Sequence, residues 1–375
     1  MTKKIRLAIL TLCALCFFIV TPILVFYSMG YRFDLNNGKI TKTGGIYIKS
    51  LPAPDGVVIG SKISEKPTPF ANDVFVQGLL PGKYTVLVKK GGYYDYFKTI
   101  SVSATEVTKL ENIILFKKDI KFEIINDPRQ SPFENVEKFI FKNNNLYYSD
   151  SPENTNLTRV QKTTPVIKNL IAFSLQNSNI LWLGTDGFIY KINPKNLSEK
   201  PLKITNKPLE IEKNGKYKII ADKKNILVND NGKLLILNSL TKNLETFYQE
   251  VNDAKLSPDG KNVVYYDDKN LYITSLSSYP ETKDKAHLLY KTTEKIIDCG
   301  WLNNNYIVLA TENKIIICET DYRENINFIT LPQTVIISPQ EKVEIRNPKI
   351  YFNQKEGRLY ILTGEKLLVS ENFLP

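Results

Sequence analysis

Residues Leu7 to Tyr27 read LAILTLCALCFFIVTPILVFY, 21 positions without a charge, and Lys3, Lys4 and Arg6 stand just before them. A helix of that length spans about 31 Å at about 1.5 Å per residue, which matches the hydrocarbon core of a bilayer. Thirteen of the 21 are Leu, Ile, Val or Phe. At roughly −0.3 to −0.6 kcal/mol each they favour insertion by about 4 to 8 kcal/mol, before the smaller costs of Thr11, Thr21 and Pro22. The residues after Phe26 are Tyr27, Ser28, Met29, Gly30 and Tyr31, which lack the Ala-x-Ala-like pattern of a cleaved signal peptide, so the run is expected to stay as an anchor. Leu12 and Leu15 precede Cys13 and Cys16 where a lipoprotein needs a small residue, and both cysteines read as apolar helix positions. Positive charge stays on the cytoplasmic side, so Lys3, Lys4 and Arg6 predict a single pass with the N-terminus inside and the bulk of the chain outside.

The formal charge is +11, and without the three cations of the anchor +8 remains, because no Asp or Glu precedes Gly30. Acidic and basic residues stay mixed, with no basic block of the kind that marks a nucleic-acid groove, so no nucleic-acid partner is expected. Cys299 and Cys318 lie where a disulfide is permitted, yet a chain this long buries enough surface without one.

From Tyr31 to Gly44 the chain is short and polar, and Asn37-Gly38 between Phe33-x-Leu35 and Ile40 is a hairpin signal close to the membrane. Alternation then sets in at Ile46 and Ile48, Val57 and Ile59, Val74 and Val76, Tyr84, Val86 and Val88, and Ile100 and Val102. Breakers at Pro52 to Gly56, Lys66 to Pro69, Leu80-Pro81-Gly82 and Gly91-Gly92 divide it into short strands, which predicts a small antiparallel sandwich. Pro81 fixes φ and Gly82 permits positive φ, so Leu80 to Lys83 suits a type II turn leading into Tyr84.

These residues resemble the PEGA domain, whose Pro-Glu-Gly-Ala signature reads here Pro54-Asp55-Gly56-Val57. Thr68-Pro69, the run Leu80-Pro81-Gly82-Lys83-Tyr84-Thr85-Val86 and Gly92-Tyr93 follow in that family's order over about residues 44 to 116. Val57 replaces the small Ala, and Gly60-Ser61-Lys62 replaces the usual Asp-Gly hairpin. The resemblance implies a non-catalytic envelope module, found beside membrane anchors and linked to surface or cell-wall binding.

After Lys117 a loose repeat of about 40 residues begins, the period of propellers and solenoids. Paired apolar runs recur at 179–193, 225–238, 262–273, 306–318 and 358–369, with a weaker copy from Phe139 to Tyr148. Each pair reads as the middle hairpin of a four-stranded blade, and radial stacking is what covers such near-continuous apolar strands. Six blades are expected, with seven open, and residues 120–126 are expected to close the last one. Ser257-Pro258-Asp259-Gly260 resembles the turn signature of TolB-like and WD40-like propeller repeats, which implies fold and leaves function open. Trp182 and Trp301 are candidate contacts, although they sit in strand-like runs and read as core.

His287 is the only histidine and reads as a surface residue in a polar loop. One histidine excludes multi-His metal sites, no cysteine pair outside the apolar run has zinc spacing, and no nucleophile elbow, phosphate loop or dinucleotide fingerprint occurs, so neither cofactor nor metal is expected. Carboxylates from different blades could still meet at the central opening, as a glycan-cleaving enzyme requires. The expectation is an all-β chain behind one transmembrane helix: 1–29 tail and anchor, 30–43 stalk, 44–117 PEGA-like sandwich, 118–375 propeller. It is expected to be a membrane-anchored binding or scaffold protein, not an enzyme, whose partner is cell-envelope polysaccharide or another envelope protein. The rival readings are a glycan-active propeller enzyme and an assembly subunit of a membrane complex.

Overall fold

The computed structural model describes residues 3–35, 37–60, 63–65, 72–126, 132, 139–148, 165–176, 179–196, 199–277, 279 and 285–374. They form one α-helix, a short 3-10 turn at Pro194–Asn196 and many small sheets, divided into two compact units. One takes in Met1–Ile120 with Arg323–Asn327 and Leu374–Pro375, the other Lys121–Tyr322 and Phe328–Phe373.

The first unit opens with α1 (Lys3–Ser28), which carries Pro22 in its interior. Within Ile5–Ser28 an 18-residue window has a mean hydropathy of 2.7 and no part buried against protein, so by length and composition the helix is able to cross a membrane. The expected hairpin follows at once as β1 (Tyr31–Asp34) and β2 (Lys39–Lys42), with Gly38 at φ +62° in its turn.

Seven strands build the sandwich: β3 (Gly44–Leu51), β4 (Gly56–Ile59), β5 (Ile63–Glu65), β6 (Asp73–Leu79), β7 (Gly82–Lys89), β8 (Tyr96–Val102) and β9 (Val107–Ile114). They form two sheets, β6-β3-β9 and β5-β4-β7-β8. The alternating residues do meet between them: Ile46, Ile48, Val57, Ile59, Val74, Val76, Val86, Val88, Ile100 and Val102 share one core. The expectation of an all-antiparallel sandwich needs correction, because β3 and β9 run parallel. Parallel neighbours need a crossover, and the chain supplies it by running through β4 to β8, the whole second sheet included, between β3 and β9. The type II turn expected at Leu80 to Lys83 is also replaced. Gly82 has φ +159°, far from the roughly +80° that turn requires, and already begins β7.

The second unit begins with β10 (Phe122–Ile125), then β11 (Phe139–Lys142), β12 (Asn145–Tyr148) and β13 (Ile167–Lys168), which form a three-stranded sheet without β10. Four antiparallel four-stranded meanders follow. The first is β14 (Leu170–Gln176), β15 (Asn179–Gly184), β16 (Ile189–Ile192) and β17 (Leu202–Lys203). The second is β18 (Tyr217–Ala221), β19 (Ile226–Asp230), β20 (Lys233–Leu237) and β21 (Leu244–Tyr248). The third is β22 (Asp253–Leu256), β23 (Asn262–Tyr266), β24 (Asn270–Ser275) and β25 (His287–Lys291). The fourth is β26 (Ile296–Trp301), β27 (Tyr306–Thr311), β28 (Ile315–Glu319) and β29 (Phe328–Thr330). A small hairpin of β30 (Thr334–Ile336) and β31 (Lys342–Glu344) precedes β32 (Lys349–Asn353), β33 (Arg358–Thr363) and β34 (Lys366–Ser370). That last sheet is completed by β10, whose Phe122 pairs with Ser370 and whose Ile125 pairs with Leu367.

These sheets are propeller blades in their packing. The first strands touch in series, β14 on β18, β18 on β22, β22 on β26 and β26 on β32. Apolar faces meet between neighbours: Leu181, Leu183 and Ile189 pack on Ile219, Val228 and Leu235, and Leu227, Leu234 and Ile236 on Ala254, Val263 and Tyr265. One backbone bond recurs where the chain enters each new sheet, donated to the turn of the previous sheet's middle hairpin. It runs from Leu170 to Asn144 (3.0 Å), Leu209 to Gly187 (2.8 Å), Val251 to Gly232 (2.7 Å), Ile296 to Asp268 (2.8 Å) and Asn347 to Glu312 (2.6 Å). The β11–β12 hairpin therefore occupies the same place as the other middle hairpins. His287 is corrected: it starts β25, half-buried, its ring stacked 3.6 Å from that of Tyr322. Cys299 and Cys318 are buried and not bonded to each other.

Candidate functional site

The inner strands of these sheets are apolar except at a few positions, and the exceptions converge. Lys218 lies on β18, Asp253 and Lys255 on β22, and Asp298 on β26. Lys218 Nζ donates to both Asp253 carboxylate oxygens at 2.8 and 2.7 Å, and Lys255 Nζ stands 3.6 Å from the same group. Asp298 accepts the backbone N–H of Cys299 at 2.8 Å and that of Ile350, on β32, at 3.3 Å. Trp301 Nε1 donates to the Lys255 carbonyl at 3.1 Å. Four successive inner strands are thus tied by polar groups in a place where each strand alone would be read as core.

The electrostatics follow from partial enclosure. Loss of water raises the Asp298 pKa, and the opposing pull of Lys255 and two backbone N–H groups does not cancel it. Burial also works against the charge on Lys255, but Asp253 and then Asp298 outweigh it and hold that ammonium above its ordinary pKa. The cluster presents fixed charges of both signs, able to grip a polar ligand by charge-assisted hydrogen bonds. Among the described residues no group of three His, Cys, Asp or Glu is placed to hold a metal ion. The two Trp residues are core: Trp182 is 5 % exposed and stacks on Tyr190, and Trp301 is 7 % exposed.

The motif residues singled out from the sequence have other surroundings. In the sandwich, Pro54 is buried and Asp55 reaches across to the Gly91 N–H at 2.8 Å, with Lys90 Nζ at 3.6 Å; that N–H keeps the Asp55 pKa low. Gly56 begins β4, and Val57 fills the core. Pro81 redirects the chain into Gly82, and the Tyr84 hydroxyl donates to the Leu80 carbonyl at 2.9 Å. Gly92 takes φ +77°, and Tyr93 bridges to Lys117. Of the neighbouring aromatics Tyr96 is buried while Phe97 faces solvent. Thr68 and Pro69 lie outside the described residues. Lys3 and Arg6 are exposed on α1, and Lys4 lies between them on the same helix.

Ser257-Pro258-Asp259-Gly260 forms the β22–β23 turn. Ser257 Oγ donates to Asp259 Oδ1 at 2.7 Å and accepts from Asn262 N at 2.9 Å, while Gly260 takes φ +69°. The turn also joins its neighbours, since Asn225 Nδ2 donates to the Gly260 carbonyl at 2.8 Å and Asp259 N donates to Asn304 Oδ1 at 3.1 Å. The axial cluster escaped sequence reading because its members sit about one repeat apart; a charge at equivalent places in otherwise apolar inner strands was the available signal.

Among solved structures, the extracellular domain of BT4673 from B. thetaiotaomicron is similar at 13% identity and a TM-score of 0.40, over 78% of this chain and 38% of that one. This chain therefore spans well under half of that protein. YCF48, solved bound to a D1 peptide, is similar at 10% identity and a TM-score of 0.41, over 87% of this chain and 94% of that one. Hsv2 from Kluyvelomyces marxianus is similar at 10% identity and a TM-score of 0.40, over 57% of this chain and 63% of that one. No curated protein matches the chain. Residues 43–114 match the family model described as PEGA domain, so the sandwich of the first unit is a PEGA domain.

Proposed function

We propose that this chain is a single-pass, N-in membrane protein that works by binding, without catalysis of its own, and holds its propeller outside the cytoplasm. The observation that supports this most is α1: an uncharged run of 21 residues, Leu7 to Tyr27, exposed along the helix, with Lys3 and Arg6 at one end and a PEGA domain beyond the other. A tether confines the propeller to a thin shell above the bilayer and raises its effective concentration toward whatever shares that shell. The partner is cell-envelope polysaccharide or another envelope protein, and the Lys218–Asp253–Lys255–Asp298 cluster is the place where polar groups of the ligand are met.

Protease added to intact cells is expected to digest the propeller, and a propeller left untouched overturns the topology. Cross-linking in intact cells, followed by identification of what is joined to the propeller, tests the partner. Attached glycan supports wall binding, and one protein in fixed ratio supports an assembly role. Soluble sugar fragments released from purified envelope polysaccharide overturn the non-catalytic reading.

A further inference from the structure

The hairpin that follows α1 has an apolar face with none of the described protein over it. Phe33 and Ile40 are direct cross-strand partners and are 58 % and 63 % exposed, and Leu35 at the turn is 85 % exposed. By strand alternation Tyr31 shares that face, and its ring meets Phe26 of α1 edge-on at 5.5 Å, so the face continues the apolar surface of the helix. Arg32, Asp34, Lys39 and Thr41 occupy the other face.

The hairpin is also fastened to the helix end. The Arg32 guanidinium lies 3.4 Å over the Tyr27 ring, and its Nη1 donates to the Tyr27 carbonyl at 2.8 Å. Thr43 closes the base, its N–H and its hydroxyl donating to the Gly30 carbonyl at 2.9 and 2.8 Å. A helix that emerges from the bilayer at Ser28 therefore brings this face to the lipid boundary in a fixed posture. Arg32, Lys39 and Lys42 against the single Asp34 add a net positive charge at headgroup level.

We propose that the β1–β2 hairpin is a second membrane contact. It lies in the interface of the outer leaflet, with Phe33, Leu35 and Ile40 reaching about 5–10 Å into the headgroup and acyl boundary. The inference rests on α1 spanning the bilayer. Its consequence is an anchor that fixes orientation as well as distance, because a lone helix leaves the attached domain free to tilt and rotate.

The test uses the full chain in nanodiscs of phosphatidylcholine and phosphatidylglycerol, with Cys13→Ala and Cys16→Ala so that added cysteines carry the only reactive thiols; Cys299 and Cys318 are buried. A fluorophore is placed at Leu35→Cys, at Phe18→Cys in α1, or at Leu240→Cys on the propeller, and is quenched by lipids spin-labelled at shallow or deep positions. Leu35 is expected to be quenched several-fold more than Leu240, most by the shallow label, and Phe18 most by the deep one. The double change Phe33→Ser with Ile40→Ser is expected to weaken quenching at Leu35 and leave Phe18 as it was. Quenching at Phe18 with none at Leu35 overturns the hairpin contact and leaves the anchor standing. Absence of quenching at both overturns the anchor, and the hairpin contact with it.

Discussion

Asn225 Nδ2 donates to the Gly260 carbonyl at 2.8 Å, a bond from the first turn of one sheet to the first turn of the next. The same amide also donates to Asp222 at 3.2 Å, so the side chain sits between its own turn and its neighbour's. Asn225→Ala removes both bonds and is expected to lower stability by about 1–2 kcal/mol. Gly260→Ala is expected to cost about 2 kcal/mol or more, because φ +69° suits glycine and a Cβ there collides with the Asp222 carboxylate. Denaturant midpoints that match wild type in both variants would show that these turns add nothing.

Glu294 accepts from Thr311 Oγ1 at 2.6 Å, from Lys314 Nζ at 2.9 Å and from the Asn313 N–H at 3.3 Å. The Thr311 hydroxyl leads in holding its pKa below the ordinary carboxylate value. A folded pKa below the unfolded one gives stability that is present above the unfolded pKa and lost as pH falls through the folded one. Glu294→Gln is therefore expected to cost about 1 kcal/mol at pH 7 and little in acid. Thermal melts from pH 7 down to pH 3 follow the difference, which should shrink steadily.

Asp298 behaves in the opposite sense. Burial raises its folded pKa, so the native state holds the proton more tightly than the unfolded chain does. Between the two pKa values stability falls as pH rises. Asp298→Asn retains an oxygen for the Ile350 N–H and has no proton to lose, so the variant should gain on wild type as pH climbs above about 4. Parallel melting curves for the two proteins across that range would contradict this assignment.

Tyr190 donates to Asp186 at 2.6 Å, and this bond leads in pushing the phenol pKa up to about 12. Asp186→Asn is expected to bring one tyrosine of the ultraviolet titration back toward its ordinary value near 10. An unchanged alkaline titration would remove that bond from the picture in solution.

Leu368 is fully buried on β34, where it pairs with Ile124 of β10. Leu368→Ala is expected to cost about 2–5 kcal/mol, with the larger values if the cavity cannot collapse. Amide exchange should then quicken first in residues 122–125, the strand that relies on this partner.

Much of the architecture was legible because it depends on period. Strict alternation at Ile46, Ile48, Val57 and Ile59 predicted a two-sheet core, and the paired runs at 225–238 and 262–273 predicted the hairpins β19–β20 and β23–β24. Direction and distance were not legible. The parallel pairing of β3 with β9 depends on which end of a sheet the chain re-enters, and no local residue encodes that. His287 looked like a loop residue because polar neighbours flank it, yet pairing with Ile273 draws it into β25. Asp253 and Asp298 look like ordinary surface carboxylates until stacking of the sheets brings β22 and β26 together.

Pairing of β10 with β34 joins residue 122 to residue 370. A chain made from its N-terminus delivers the first half of that clasp early and the second half late. The opening strand must wait, unpaired and with its apolar side chains uncovered, until nearly 250 residues have followed it. Loop closure over such a span is slow compared with local hairpins, so the ring locks as the final event of folding, and the interval before it locks is when the protein is most open to proteolysis and to mispairing with a second copy.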